Sequence, residues 1–317
     1  MLKVLYLPIG DQQGTVDGFL NLGCDLLVYD FWTYSKTHNK NKTNEKFIEH
    51  VHKYNPDLIH MQLQLTDIIT NDTLKQIRKI VPGVVITNWS GDIRSKPSKP
   101  FISTSNFVDF SLLSNVGQIE IYKKEGCKNV RYWQIGYDPK RYFPKNNKNF
   151  KYDVSFVGNV YKEFPDAKLR LSAATVLKKK YGNRFGLFGY GYGNIKTSSC
   201  SLYETNDVYN DSLCVLSISN FNDVSHYFSD RFLLCLASGR PLIAYRFPSC
   251  ECYVGHMYNA LIANQINDII PIVEFCIKNI DEANKIGQNG HLTALMYHSF
   301  TSRIMELLTF TNLIVKL

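Results

Sequence analysis

The sequence predicts an α/β protein of two consecutive doubly wound parallel sheets, and three observations carry that expectation. The chain has 317 residues, about twice a typical domain length. Short apolar runs alternate with amphipathic ones, the β-α-β rhythm of a parallel sheet. The rhythm breaks at FPKNNKNFK and restarts at YDVSFVGN, so the domains are expected at 1–148 and 149–317.

In chain order, LKVLYLP (2–8) and CDLLVYDF (24–31) are apolar runs of strand length, and EKFIEHVHKY (45–54) has helical spacing. PDLIHMQL (56–63) reads as a strand, TLKQIRKI (73–80) as a helix, and GVVITNW (83–89) and VDFSLL (108–113) as strands. GQIEIYKKEG (117–126) is a helix stopped by Gly126. The second half repeats the scheme with strand YDVSFVGN (152–159), a helix over 165–181, and strands RFGLFGYG (184–191), CVLSIS (214–219) and PLIAYRF (241–247). A helix from Asp230 precedes the last of these. Three more close the chain at DIIPIVEFCIKN (268–279), IDEANKIGQNG (280–290) and SFTSRIMELLTF (299–310). Ligands of such sheets sit outside the carboxyl ends of the strands, which points to a cleft between the domains.

Composition narrows the function classes. Hydrophobic residues make up 44% and charged residues 20%, ordinary for a globular protein, and no run approaches the roughly 20 apolar residues of a membrane helix. MLKVLYLPIG is too short for a signal-peptide core, so a cytoplasmic location is expected. The eight cysteines form no C-x-x-C pair and read as free thiols; the spacing of Cys250 and Cys252 is a weak metal signal. A net charge of +8 favours phosphate-bearing partners. Part of it lies in THNKNKTNEK (37–46) and PKNNKNFK (144–151), which read as solvated loops, while a basic groove for nucleic acid stays open. No H-E-x-x-H, Walker loop, G-x-S-x-G or dinucleotide glycine fingerprint is present.

Several strand ends carry residues suited to a site. Gly158, ending FVGN, lets a ligand approach the backbone, although a plain turn also uses such a glycine. FGYGYGN (188–194) places Gly189, Gly191 and Gly193 around Tyr190 in a weak G-x-G-x-G pattern. In YFSDRFLLCLASGRP (227–241), Ser229 is a good N-cap, Gly239 a good C-terminal stop, and Phe232, Leu233, Leu236 and Ala237 an apolar face. That helix start offers free N–H groups to an anion, with Arg231 adding a planar donor fork. Asp230 either accepts hydrogen bonds from sugar hydroxyls or merely favours the helix.

In NWSGDIR (88–94), Trp89 is suited to stacking, Asp92 to accepting a proton and Arg94 to holding an anion; the alternative is a turn with a surface Asp-Arg pair. PIGDQQG (8–14) contributes Gly10 and Asp11. His60, inside an apolar run, reads as a core histidine.

YDVSFVGN, LCVLSISN followed by SDRFLLCLASGRPLIAY, and IDEANKIGQNGHLTALMYHSFTSR together resemble the C-terminal domain of GT-B glycosyltransferases. The nearest likeness is to the CgeB-like glycosyltransferases, including small bacteriophage versions. It is clear over 151–310 and looser over 1–150. The resemblance implies two Rossmann-like domains facing a central cleft and a hexosyl or pentosyl transfer from a nucleotide-diphosphate sugar, such as a UDP-sugar, to an acceptor hydroxyl. No cofactor is required; a divalent cation is compatible but not implied. By position, Gly158 and Asn159 lie near the donor diphosphate, Gly189 and Tyr190 beside them, and Ser229, Asp230 and Arg231 at phosphate or ribose. Gly10, Trp89 and Arg94 fall on the acceptor side, and an inverting enzyme takes its base from Asp92 or Asp11.

The pattern departs from the family at Leu234, where related enzymes carry the ribose-binding glutamate of R-x-F-E, and at His226, where many retaining relatives carry another. Asp230 is then the better ribose candidate. The acceptor is expected to be a hydroxymethylated base in viral DNA, with the enzyme in the host cytoplasm, or else a protein or surface glycan. From a different class, a non-catalytic nucleotide or nucleic-acid binding module with the same fold also fits Leu234.

Overall fold

The computed structural model describes residues 1–147 and 149–316. Lys148 and Leu317, the closing residues of the two expected domains, lie outside the described residues. The chain divides into two compact units, one joining 1–136 to 300–317 and the other spanning 137–299. The division therefore falls after residue 136 rather than 148, and the second unit does not run to the end of the chain. The cause is the helix Phe300–Phe310. Its Ile304, Leu307 and Leu308 are buried with Val4, Phe19, Trp89 and Trp133 of the first unit. Trp133 Nε1 donates to the Arg303 carbonyl at 2.9 Å, and Arg303 Nε donates to the Ile135 carbonyl at 3.2 Å.

The first sheet is built from β1 (Lys3–Leu7), β2 (Asp25–Val28), β3 (Leu58–Met61), β4 (Val85–Ser90), β5 (Phe110–Leu113) and β6 (Val130–Tyr132). Their order is β2-β1-β3-β4-β5-β6, every pair parallel. The second sheet contains β7 (Tyr152–Val157), β8 (Phe185–Phe188), β9 (Ser212–Ser217), β10 (Leu242–Tyr245) and β11 (Leu261–Ala263). Its order is β11-β10-β9-β7-β8, again all parallel. Both sheets are doubly wound as expected, with topological switch points at β1/β3 and β7/β9, where such sheets open a crevice at the strands' carboxyl ends. In the second unit Phe156 on β7 stands opposite Leu187 on β8 and Leu216 on β9, in a core shared with Leu177 and Val273 of the flanking helices.

One basic stretch differs from its reading as a loop. The segment from Lys40 is the first half of the 15-residue helix Lys40–Tyr54, capped by Asn39, whose Oδ1 accepts from Lys42 N at 2.9 Å. Asn44 is buried inside it: its Nδ2 donates to the carbonyls of Lys40 and Ile68, and its Oδ1 accepts from Thr70 N and Thr73 Oγ1. A polar residue that joins two elements looks, in sequence, like a solvated one. Among the described residues no helix is long and apolar enough to cross a membrane.

Candidate functional site

The second unit's site grows from the switch point between β7 and β9. After β7 the chain passes through Gly158 and Asn159, and after β8 through Gly189 and Tyr190. The two loops prolong the strand pairing: Gly158 N donates to the Phe188 carbonyl at 2.8 Å and Val160 N to the Tyr190 carbonyl at 2.9 Å. A Cβ on Gly189, which has φ +128°, would collide with the Gly158 carbonyl oxygen. Gly189, expected to touch the donor, is thus needed for backbone against backbone. Asn159 Oδ1 accepts from Tyr190 N at 3.1 Å, and the Tyr190 hydroxyl donates to Tyr161 Oη at 2.7 Å. Tyr190 is 57% exposed and forms the rim.

Beneath Gly158 lies a residue that the sequence reading passed over. Arg170, on the helix Ala167–Tyr181, is 1% exposed. Its Nη1 donates to Asn220 Oδ1 at 2.9 Å, while Nε and Nη2 are buried and make no hydrogen bond. The carboxylate one turn earlier, Asp166, is occupied by Asn222, accepting from its N at 2.6 Å and its Nδ2 at 3.0 Å. Burial, with the like charge of Arg231, pulls the Arg170 guanidinium below its ordinary pKa. A cation buried without a carboxylate is costly unless an anion joins it. A Cβ on Gly158 would run into Arg170 Nη2 and come within 3.5 Å of Arg231 Nε, so both guanidiniums converge on this glycine.

Arg231 is the second residue of the helix Asp230–Ala237. Asp230 Oδ1 accepts from Arg231 N at 2.9 Å and from Arg231 Nη1 at 3.3 Å; this carboxylate raises the arginine's pKa. Part of the amide set at this end is engaged: Ser229 N donates to Ser219 Oγ at 3.0 Å, Arg231 N to Asp230 Oδ1 and Phe232 N to the Ser229 carbonyl at 3.0 Å. Fewer N–H groups are therefore free here than the helix start implies, and the Arg231 side chain adds to its positive character. Ser229 holds the N-cap position with a buried hydroxyl that makes no capping bond. Gly239 ends the helix at φ +72°. Leu234, one turn after Asp230, is 6% exposed and packed in the core.

Tyr161 completes the setting. Its phenol is held below the ordinary range, first by the Tyr190 hydrogen bond, then by Asn159, with both arginines contributing. The sequence signal for Arg170 was its phase: it falls on the buried face with Ala167, Ala173, Ala174 and Leu177.

In the first unit, Trp89 is 2% exposed, packs edge-on against Trp133 at 5.1 Å and donates from Nε1 to the Trp133 carbonyl at 3.2 Å. It is a core residue, which corrects the expectation of a stacking surface. Asp92 is exposed, 3.3 Å from Arg94 Nη2. Asp11 Oδ1 accepts from Gln13 N at 3.2 Å in the exposed loop after β1, beside Gly10 at φ +73°. His60 is fully buried, its Nδ1 2.8 Å from Thr87 Oγ1, and burial pulls its pKa down to about 3. His226 lies at φ +58° with Nδ1 2.9 Å from Ser225 Oγ. Cys250 and Cys252 are free thiols, and among the described residues no three His, Cys, Asp or Glu side chains gather as a metal site would need.

Two parallel sheets with two guanidiniums converging on one switch point set the frame for comparison with known proteins. Residues 170–309 match the family model described as glycosyl transferase-like. No curated protein matches the chain. The structure of HepE from Anabaena in complex with UDP-glucose superposes with a TM-score of 0.63 at 12% identity, covering 98% of this chain and 100% of that one. Sucrose-phosphate synthase from Thermosynechococcus elongatus gives 0.65 at 12%, covering 100% of both. A glycosyltransferase from Rickettsia africae gives 0.67 at 12%, covering 99% of both. The fold is GT-B, and the segment that begins at Arg170 and contains Arg231 is glycosyltransferase-like.

Proposed function

We propose that this enzyme transfers a sugar from a nucleoside-diphosphate sugar to an acceptor hydroxyl, with Arg170 and Arg231 holding the diphosphate beside Gly158. The observation that carries the reading is the buried guanidinium of Arg170, which has two N–H-bearing nitrogens without partners while the Asp166 carboxylate one turn earlier is taken by Asn222. Support for the donor class comes from HepE, whose complexes contain UDP-glucose, UDP with glucose, and UDP.

In the transfer the acceptor oxygen bonds to the anomeric carbon as the bond from that carbon to the diphosphate breaks. The departing diphosphate takes up negative charge, which two preorganised guanidiniums stabilise more in the transition state than in the ground state. The acceptor's proton passes to a carboxylate, for which Asp92 and Asp11 are the proposed bases. With Leu234 buried and apolar, Asp230 is proposed to read the ribose hydroxyls. Within this reading the finer affinity is to the small CgeB-like enzymes. A nucleic-acid hydroxyl is the acceptor that the +8 charge supports, and a protein or surface glycan is the alternative.

Incubating the protein with UDP-, GDP-, ADP- and dTDP-sugars tests the reading. One donor should slowly release free nucleoside diphosphate, and Arg231→Ala should suppress the release. If no donor is hydrolysed and no nucleoside diphosphate binds, the reading fails. Transfer that falls steeply with salt favours nucleic acid as acceptor; salt-insensitive transfer favours a glycan or protein.

A further inference from the structure

We propose a second ligand site in the 137–299 unit, for a small organic phosphate, at the end of the helix Asp230–Ala237 away from Arg231. A cavity of about 400 Å³ opens there, with Lys145, Asn147, Phe150, Arg240, Asn284 and Gln288 in its wall. That volume is in the range of small-ligand sites. Arg231 and Arg170 are not part of it.

Among the described residues the wall presents hydrogen-bond donors and no carboxylate. Arg240 is 8% exposed; its Nη2 donates to the carbonyls of Lys145 at 3.2 Å and Asn147 at 3.1 Å, and its Nε is buried without a hydrogen bond. The guanidinium lies 4.7 Å from the Phe150 ring centroid, which fixes its plane. Of the carboxylates around it, Asp207 is paired with Lys145 and Asp211 accepts from Asn147 Nδ2 at 2.7 Å, while Asp281 and Glu282 are exposed in the first turn of the next helix and are not part of the wall. Ile280, also in the wall, begins the 18-residue helix Ile280–Tyr297, whose N-cap Asn279 makes no side-chain capping bond. The cavity wall thus holds a buried guanidinium with an unpartnered nitrogen.

The cavity is also preformed. A Cβ on Gly287 would collide with the Gly239 carbonyl oxygen, and one on Gly239 would come within 2.8 Å of Pro144 Cγ. Pro144, the turn after the helix and the helix Ile280–Tyr297 are therefore held in contact. A phosphate group fits the cationic end at Arg240, whose charge has no carboxylate hydrogen-bonded to it among the described residues. The amides of Asn284 and Gln288, one turn apart, suit hydroxyls on its organic body.

The test is titration calorimetry with glucose 6-phosphate on the full chain, using wild type, Arg231→Ala, Asn284→Trp and Gln288→Glu, each checked for an unchanged melting temperature. The site predicts equal binding by wild type and Arg231→Ala and loss of at least about tenfold in Asn284→Trp. Gln288→Glu, which puts a carboxylate into the wall without filling it, should also weaken binding and covers the case in which the tryptophan variant does not fold. Binding that disappears in Arg231→Ala but survives in both wall variants would place the phosphate at the donor site and overturn the proposal. Absence of binding by wild type at millimolar ligand would overturn it as well.

Discussion

The guanidinium of Arg170 stands where any side chain on Gly158 would have to go. One residue lacks a side chain so that the other's charge can meet whatever lies against the backbone at the end of β7. The pair makes a strand-end glycine, common in any α/β sheet, the point on which two guanidiniums converge.

Arg170→Met should weaken UDP binding at least about tenfold, since a hydrogen bond to a charged group contributes about 1.5–3 kcal/mol. The melting temperature of the unliganded protein should hold or rise, because an unpaired buried cation is removed. Calorimetry with UDP and thermal denaturation together decide it. A lower melting temperature with unchanged UDP affinity would make Arg170 a scaffold residue.

Gly189→Ala should destabilise the protein by about 1–3 kcal/mol, because the new methyl meets the Gly158 carbonyl oxygen at a strained φ. Gly193→Ala, at φ +62° with no atom within 4 Å, carries only the backbone strain, about 1 kcal/mol. Urea denaturation should rank them in that order. Equal effects would mean that close loop packing contributes nothing.

Asp92→Asn should nearly abolish sugar transfer while leaving donor binding intact, as removal of a base does. Trp89→Phe should do the reverse, lowering stability by about 1–3 kcal/mol through lost packing and the lost indole hydrogen bond while folded protein stays active. Transfer assays beside denaturation curves separate the two, and unchanged turnover in Asp92→Asn would return the base role to Asp11.

Burial of His60 gives a pH dependence of known sign. Its folded pKa of about 3 lies below the ordinary 6.5, so below pH 6.5 the unfolded chain binds a proton that the folded one refuses. Native stability attributable to this group is complete above that pH and is lost as pH falls toward 3, by up to about 1.4 kcal/mol per unit. Denaturation of wild type and His60→Gln from pH 7 to 4 should show the steeper decline in wild type. Parallel curves would show that His60 does not control acid stability.

Much of the fold was legible because parallel strands buried on both faces leave unmistakable apolar runs. Strands β6 and β11, of three residues each, are too short to show a period. The helix Gln13–Asn21 was hidden by Gly14 and Gly18. Yet Gly18 is what admits Phe300, whose carbonyl carbon would lie 3.0 Å from a Cβ there. The helix start beside Arg231 was legible because helix starts carry a local signature, whereas the burial of Arg170 was not, because a basic residue in a helix is ordinarily solvated.

The sequence by itself determined most of the strands and helices, the two parallel sheets and the helix that starts at Asp230. Those properties follow from period, caps and charge, which are local. Only the tertiary structure decided that Trp89 is core, that the last helix belongs with the first sheet, and that Arg170 meets Arg231 under Gly158. Each depends on which distant surface an apolar or charged face encounters, and the chain's local chemistry leaves that partner unspecified.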